Sequence, residues 1–182
     1  MINVKCKSIG ISLLTFTFYI LHFTFFLYLV MVLPSCNREK ILFTELAAIG
    51  ADGWTYSDSI RFAFAAKDTN QTYDLRLEIT HDEDYAWENL YVQIKTSFPG
   101  DSLKTDILSL ELSDGIGAWA GKCSGGKCRL TIPLQTFLKF PSTGEYALTF
   151  IQYMRQEVVP GIYGLKLTVA EAERQNGRTA ER

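Results

Sequence analysis

The chain has 182 residues, of which 47 % are hydrophobic and 13 % aromatic, and its formal net charge at pH 7 is −2. This length provides one domain with a sizeable core, and an acidic balance without a basic stripe excludes nucleic acid as a partner. The sequence has no phosphate-binding loop, no dinucleotide-binding glycine motif and no metal-spaced set of His and Cys. We therefore expect neither a cofactor nor a metal site.

Residues 1–35 are typical of an export signal. Lys5 and Lys7 precede a long uncharged apolar run, which is the order of a basic n-region and an apolar h-region. The run is long enough to span a bilayer, so a permanent transmembrane helix is the alternative. Residues 33–36, Leu-Pro-Ser-Cys, resemble a lipobox. We therefore expect cleavage before Cys36 and attachment of lipid to its thiol.

The expected mature chain starts at Cys36 and is anchored to a membrane by its lipid. Each buried methylene contributes about 0.8 kcal/mol, so two or three acyl chains make the anchoring permanent. Without Lys5 and Lys7, 16 of the 18 Lys and Arg remain against 20 Asp and Glu, a formal net charge of −4. Residues 36–53 are mixed in composition, and we expect a flexible tether that reaches about 20–25 Å.

From Trp54 onward the apolar pattern has a period of two, which is typical of half-buried strands. About seven or eight strands, separated by turn residues, predict an all-β fold over residues 54–169: a two-layer antiparallel β-sandwich, jelly-roll-like. Residues 170–182 are polar and charged, so we expect a loose tail. The candidate strands cover residues 60–65, 73–79, 90–95, 108–112, 130–134, 146–155 and 165–169.

Two cysteines remain in the mature domain. Cys123 and Cys128 are separated by Ser-Gly-Gly-Lys, which is turn chemistry. Export places them in an oxidising compartment, so we expect a structural disulfide across a hairpin, with two free thiols as the alternative. A zinc site needs four ligands, whereas the mature chain has one histidine, His81.

Candidate catalytic groups are few. His81 stands before the acidic residues Asp82, Glu83 and Asp84, where a hydrolase or a calcium site is conceivable. The chain lacks the Gly-x-Ser-x-Gly nucleophile motif and the spacing of an EF-hand loop. We therefore expect a solvated loop histidine, a solvated acidic loop and no enzyme activity.

The many aromatic residues allow two interpretations. Rings that alternate inward on strands usually belong to the core, which is our expectation for most of them. The alternative is an exposed platform of Tyr85, Trp87 and Tyr91 that binds a glycan, which would make the protein a surface glycan-binding module.

Short blocks, in order along nearly the whole mature domain, carry a family resemblance. The blocks include Trp54 with residues 58–62, residues 84–85 with 89–91, residues 105–106, residues 112–114 with 117–122, and Gln-Tyr-Met-Arg at residues 152–155. Together they resemble the gliding-motility lipoprotein GldH family of Bacteroidota. The resemblance singles out nine family-motif residues: Trp54, Tyr85, Asn89, Asp106, Asp114, Trp119, Gln152, Met154 and Arg155.

The resemblance implies a non-catalytic envelope lipoprotein that works with protein partners in gliding and the linked type IX secretion machinery. Cys36 is followed by Asn-Arg-Glu-Lys rather than an acidic run, which favours the periplasmic face of the outer membrane. Arg155 follows an apolar strand and is either exposed at its end or paired with Asp106 or Asp114. Our hypothesis is a structural pair that joins two strands.

Overall fold

The computed structural model describes residues 9–31 and 39–172, which belong to two compact units. The first unit contains the helix α1 (Ile9–Met31), an uncharged segment of 23 residues. Within the described residues, no helix is long and apolar enough to cross a membrane. The predicted lipidation of Cys36 lies outside the described residues.

The second unit is built from antiparallel strands. Its two main sheets have the strand orders β1-β11-β4-β8-β7 and β3-β9-β5-β6, and β2 pairs with β10 in a short ribbon. The predicted all-β sandwich is thus confirmed. The strands are β1 (Ile41–Ala48), β2 (Trp54–Thr55), β3 (Ile60–Ala66), β4 (Tyr73–Asp82), β5 (Asn89–Ser97), β6 (Leu103–Glu111), β7 (Lys122–Ser124), β8 (Lys127–Leu138), β9 (Gly144–Gln152), β10 (Val158–Val159) and β11 (Ile162–Glu171).

The core lies between the two sheets, and the period-two pattern explains why. In β4 every odd-numbered residue from Tyr73 to His81 is buried, and every even-numbered one is partly exposed. Phe62 and Phe150 from the facing sheet meet edge to face with ring centroids 5.9 Å apart. Full burial of such a side chain contributes about 1.5–3 kcal/mol.

The predicted tether over residues 36–53 is wrong for residues 41–48, which form β1. This strand pairs with β11 along most of its length, and the ring of Phe43 lies 5.5 Å from that of Phe64. The alternation is irregular because neighbouring Leu42 and Phe43 are both half-buried, so the periodicity criterion missed it.

The predicted tail over residues 170–182 also begins too early. Strand β11 continues to Glu171, and the backbone amide of Ala172 donates to Thr72 at 2.9 Å. Ala170 and Ala172 are buried. The part of the predicted tail from residue 173 onward lies outside the described residues.

The sandwich has two ends, which we call the near end and the far end. The near end is the one at which the first strand, β1, begins. The near end contains Ile41, where β1 begins beside Ala170, together with Tyr73 and Leu138. The far end contains the opposite ends of the same strands. Loops over residues 67–72, 98–102 and 139–143 turn at the near end, and connections over residues 49–59, 83–88, 112–121 and 153–161 turn at the far end.

A disulfide joins Cys123 and Cys128 across the hairpin of β7 and β8. Gly125 and Gly126 form its turn with φ angles of +62° and +76°, a backbone that glycine adopts without strain. The carbonyl of Gly126 accepts a hydrogen bond from the amide of Glu83 at 3.0 Å. The hairpin therefore holds the loop between β4 and β5 at the far end.

We expect removal of this disulfide to lower the free energy of unfolding by about 2 kcal/mol, because the cross-link restricts the unfolded chain over a short loop. The double variant Cys123→Ser with Cys128→Ala tests this by urea unfolding of the full chain in detergent. Ser124→Ala in the same hairpin is the matched control. An unchanged unfolding midpoint in the double variant would contradict the expectation.

Candidate functional site

The residues singled out by the family resemblance converge on the far end of the sandwich. Eight of the nine lie in far-end connections or in the strand residues next to them. The ninth, Asp106, lies within β6 and forms an ion pair with Lys104 at 3.0 Å. We use the term support for the buried part of the far end, which consists of Trp54, Gln152 and the rings of His81, Tyr85 and Trp119. Asn89, Met154 and Arg155 line a surface groove beside it.

Trp54 is the largest fully buried side chain of the support. Its indole Nε1–H donates to the carbonyl of Asp58 at 2.7 Å, so burial leaves this polar group satisfied. The residue is paired with Val159 where β2 meets β10. Trp54 thereby ties together two of the four far-end connections.

A second part of the support is a cluster of rings around His81. The ring centroid of His81 lies 4.6 Å from that of Trp119 and 5.8 Å from that of Tyr85. Trp119 also donates its indole N–H to the carbonyl of Glu83 at 2.8 Å. These contacts pack the loops over residues 83–88 and 112–121 against each other.

The expectation of a solvated loop histidine is wrong. His81 is 0 % exposed, because it continues the inward-facing positions of β4. Its Nδ1 lies 2.7 Å from the carbonyl oxygen of Asp82, and its Nε2 has no hydrogen-bond partner among the described residues. Among the described residues no hydroxyl forms a hydrogen bond with either ring nitrogen, so the arrangement does not show the nucleophile–base pair that the hydrolase alternative requires.

Of the acidic residues after His81, Asp82 stabilises the local structure through its carboxylate. One carboxylate oxygen of Asp82 accepts from the hydroxyl of Tyr163, and the other accepts from the amide of Asp84 at 2.9 Å. These bonds lower the pKa of Asp82, the Tyr163 bond contributing most. Residues 9–31 and 39–172 contain no group of three or more His, Cys, Asp or Glu arranged to hold a metal ion.

Burial lowers the pKa of His81 below 6.5, against the opposing effect of its contact with Asp82. Below pH 6.5 the unfolded chain therefore takes up a proton that the folded chain does not bind. We expect the free energy of unfolding to fall with decreasing pH in this window, by at most about 1.4 kcal/mol per pH unit. Urea unfolding at pH 7.5 and 5.5 measures this difference.

His81→Phe is the control for the pH effect, since it keeps a ring in the cluster and removes the titrating group. Its midpoint should change less between the two pH values than that of the wild type. Asp82 does not interfere, because its ordinary pKa of 3.8 lies below this range. Equal pH dependence of the two proteins would show that His81 is not responsible.

Gln152, fully buried at the end of β9, shapes the exposed loop over residues 153–157. Its side-chain oxygen accepts from the amide of Met154 at 2.9 Å. Its side-chain N–H groups donate to the carbonyls of Gln156 at 3.0 Å and Glu157 at 3.2 Å. The strand predicted to continue to Arg155 therefore ends at Gln152, where this side chain replaces the sheet as the partner of the backbone.

The loop is also fastened to its neighbours. The amide of Tyr153 donates to the carbonyl of Tyr91 at 2.8 Å, and the amide of Tyr91 contacts the Sδ atom of Met154 at 3.2 Å. The hydroxyl of Tyr56 donates to the carbonyl of Met154. Sequence reasoning missed the roles of Tyr56 and Tyr153, and only the position of Tyr153 within the Gln-Tyr-Met-Arg block pointed to it.

These residues border a surface groove of about 690 Å³ beside the loop. Tyr91 is 43 % and Tyr153 is 52 % exposed. Arg155 is exposed as well, so the groove presents the rings of Tyr91 and Tyr153 and a guanidinium to solvent. The lining residues are Trp87, Asn89, Tyr91, Ile107, Tyr153, Met154, Arg155 and Gln156.

The hypothesis that Arg155 forms a structural pair is wrong. The side chain is exposed, and it takes part in none of the ion pairs among the described residues. Asp106 pairs with Lys104 instead. Asp114 accepts hydrogen bonds from two amides of its own turn, those of Ile116 and Ala118.

The predicted aromatic platform is only partly present. Tyr85 is 6 % exposed, and burial raises the pKa of its hydroxyl. Trp87 is half-buried against the core, and Tyr91 is exposed. The two rings at the groove surface are instead Tyr91 and Tyr153, which the loop bonds hold in place.

Comparisons with known proteins agree with the sequence resemblance. The gliding motility lipoprotein GldH homolog of Christiangramia forsetii is 24 % identical over 131 residues, which cover 72 % of this chain and 79 % of that protein. The gliding motility lipoprotein GldH of Flavobacterium johnsoniae is 21 % identical over 137 residues, which cover 75 % and 84 %.

A solved structure of a family GH115 4-O-methyl-alpha-glucuronidase, BtGH115A, aligns with a TM-score of 0.39 and 12 % identity. The alignment covers 77 % of this chain and 19 % of the enzyme, and a similarity this low supports no inference about activity. The family described as GldH lipoprotein matches residues 41–167, from the start of β1 nearly to the end of β11. This chain therefore belongs to the GldH lipoprotein family.

Proposed function

We propose that this protein is a non-catalytic, lipid-anchored part of an envelope assembly and that it binds other proteins through the far end of its sandwich. The observation that carries the proposal is the position of the family-motif residues. Eight of the nine gather at the end opposite to the one at which the chain enters the fold.

The lipid anchor gives this arrangement a direction. Cys36 precedes Ile41 by five residues, so a lipid on Cys36 lies within about 17 Å of the near end. Strands of eight to ten residues, such as β1 and β4, are about 30 Å long. A lipid on Cys36 would therefore keep the near end close to the membrane, and the far end lies about one strand length from the near end.

The exposed chemistry of the far end suits protein contacts. Tyr, Met and Arg are the residue types enriched in protein–protein interfaces, and here they border one groove. The neighbouring connection adds Ile116, which is 90 % exposed. We place the protein at the periplasmic face of the outer membrane, as part of the gliding and type IX secretion machinery. A glycan-binding role is less well supported, because it requires an exposed platform of Tyr85, Trp87 and Tyr91, and Tyr85 is buried.

A membrane pull-down tests the proposal. The tagged full chain is expressed with one of two far-end substitutions, Tyr153→Ala or Ile116→Ser. The near-end control is Phe137→Ser, because Phe137 is as exposed as Tyr153. Circular dichroism first establishes that each variant is folded. We expect the far-end substitutions to reduce the recovery of envelope proteins several-fold and the control to leave it unchanged. Equal recovery from all variants would overturn the proposal.

A further inference from the structure

The groove beside Arg155 is lined by a positive charge, although the protein as a whole is acidic. Its eight lining residues include one cation and no carboxylate. The acid directly across the sheet from Asn89 is Glu111, and that carboxylate accepts from the hydroxyl of Ser109 at 2.7 Å. Arg155 is exposed, and among residues 9–31 and 39–172 no acid forms an ion pair with its guanidinium.

We propose that Arg155 binds an Asp or Glu side chain of the partner protein, and that an apolar side chain next to this acid packs between Tyr91 and Tyr153. The inference rests on the proposed function and specifies the partner of the same surface. A guanidinium recognises a carboxylate through two parallel hydrogen bonds, which an uncharged ligand such as a neutral glycan does not offer.

The walls of the groove explain why the acid needs an apolar neighbour. The groove is lined with apolar surface from Tyr91, Tyr153, Met154 and Ile107. Covering these side chains removes water from around Arg155, which strengthens its attraction to a carboxylate. A free anion would bind the charge but leave the rings uncovered.

The loop is held in place before any partner arrives. Gln152 fixes its backbone at three points, and further hydrogen bonds tie Tyr153 to Tyr91 and Met154 to Tyr56. Binding therefore costs little ordering of the loop, because its conformation is already restricted. This arrangement favours a specific protein contact over a general attraction to anionic surfaces.

Carbodiimide cross-linking tests the inference directly, because the reagent joins an amine to a carboxylate in contact with it. Arg155→Lys keeps the charge and places a primary amine in the groove, and Phe137→Lys places one at the near end as control. We expect membranes carrying Arg155→Lys to yield a cross-link from position 155 to an Asp or Glu of another envelope protein. Mass spectrometry should find an apolar residue next to that acid.

Charge reversal gives a second readout in the pull-down. Arg155→Glu should reduce recovery of the cross-linked protein at least tenfold and Arg155→Gln should reduce it less. Arg155→Lys should reduce it least, because it keeps the charge but not the two parallel hydrogen bonds. Undiminished recovery with Arg155→Glu, or absence of a cross-link from position 155 to any protein carboxylate, would overturn the inference. If Tyr153→Ala abolished recovery while Arg155→Glu left it undiminished, the far-end proposal would stand and this inference would fail.

Binding to anionic membranes is the competing outcome. Vesicles of phosphatidylglycerol are incubated with the full chain in detergent-free nanodiscs, for the wild type and for Arg155→Gln. We expect both to bind the vesicles equally. A loss of vesicle binding confined to Arg155→Gln would assign the guanidinium to lipid phosphate and would contradict a protein carboxylate.

Discussion

Replacement of Trp54 by Ala should lower the free energy of unfolding by about 3–5 kcal/mol, the largest effect that we expect from a single substitution. The side chain is fully buried, and its removal leaves a large cavity. It also deprives the carbonyl of Asp58 of its indole donor. Urea unfolding of the full chain in detergent, followed by circular dichroism, measures the change.

The effect of Trp54→Ala should extend to the loops of the far end. Trp54 is paired with Val159 in β10, and β10 directly follows the exposed loop over residues 153–157. Tyr153→Ala is the control, since it removes a large ring from the surface and should change the free energy of unfolding by less than about 0.5 kcal/mol. Similar losses from the two substitutions would contradict the assignment of Trp54 to the support and Tyr153 to the binding surface.

Replacement of Gln152 by Leu should cost about 3 kcal/mol. The substitution keeps the size of the side chain but removes three hydrogen bonds, each worth about 1 kcal/mol, and leaves the amide of Met154 and the carbonyls of Gln156 and Glu157 without their partner. The same urea experiment measures the loss, with Gln156→Leu on the exposed part of the loop as the matched control.

The Gln152→Leu variant separates shape from charge at the groove. Arg155, Tyr91 and Tyr153 remain present, but their loop loses its buried support. We therefore expect reduced recovery of envelope partners from a protein whose sandwich is still folded by circular dichroism. Full recovery together with a marked loss of stability would mean that the loop conformation does not matter for binding.

The sandwich was predictable because its strands obey a simple physical rule. A pleated strand that covers a core on one side alternates apolar and polar residues, and β4 follows this rule from Tyr73 to His81. Strand β1 was not predicted because it lies at a sheet edge, where Leu42 and Phe43 are both half-buried and the alternation is lost. His81 was misplaced because the acidic residues after it suggested a loop, although the alternation continued through it.

The binding surface was less predictable than the fold. The block at residues 152–155 was visible in the sequence, but nothing in it shows that Gln152 is buried and Arg155 exposed. That division depends on where β9 ends, which is decided by contacts between Gln152 and backbone groups four and five residues later. The pairing suggested for Arg155 failed because Asp106 and Asp114 both have closer partners.

The most direct test of the central claim is photo-cross-linking in living cells. A photoreactive phenylalanine analogue replaces Tyr153 at the far end or Phe137 at the near end, and the cross-linked products are separated and identified. We predict that position 153 yields a cross-link to another envelope protein and that position 137 does not. Protein cross-links from position 137, with none from position 153, would show that the protein meets its partners through the opposite end of the sandwich.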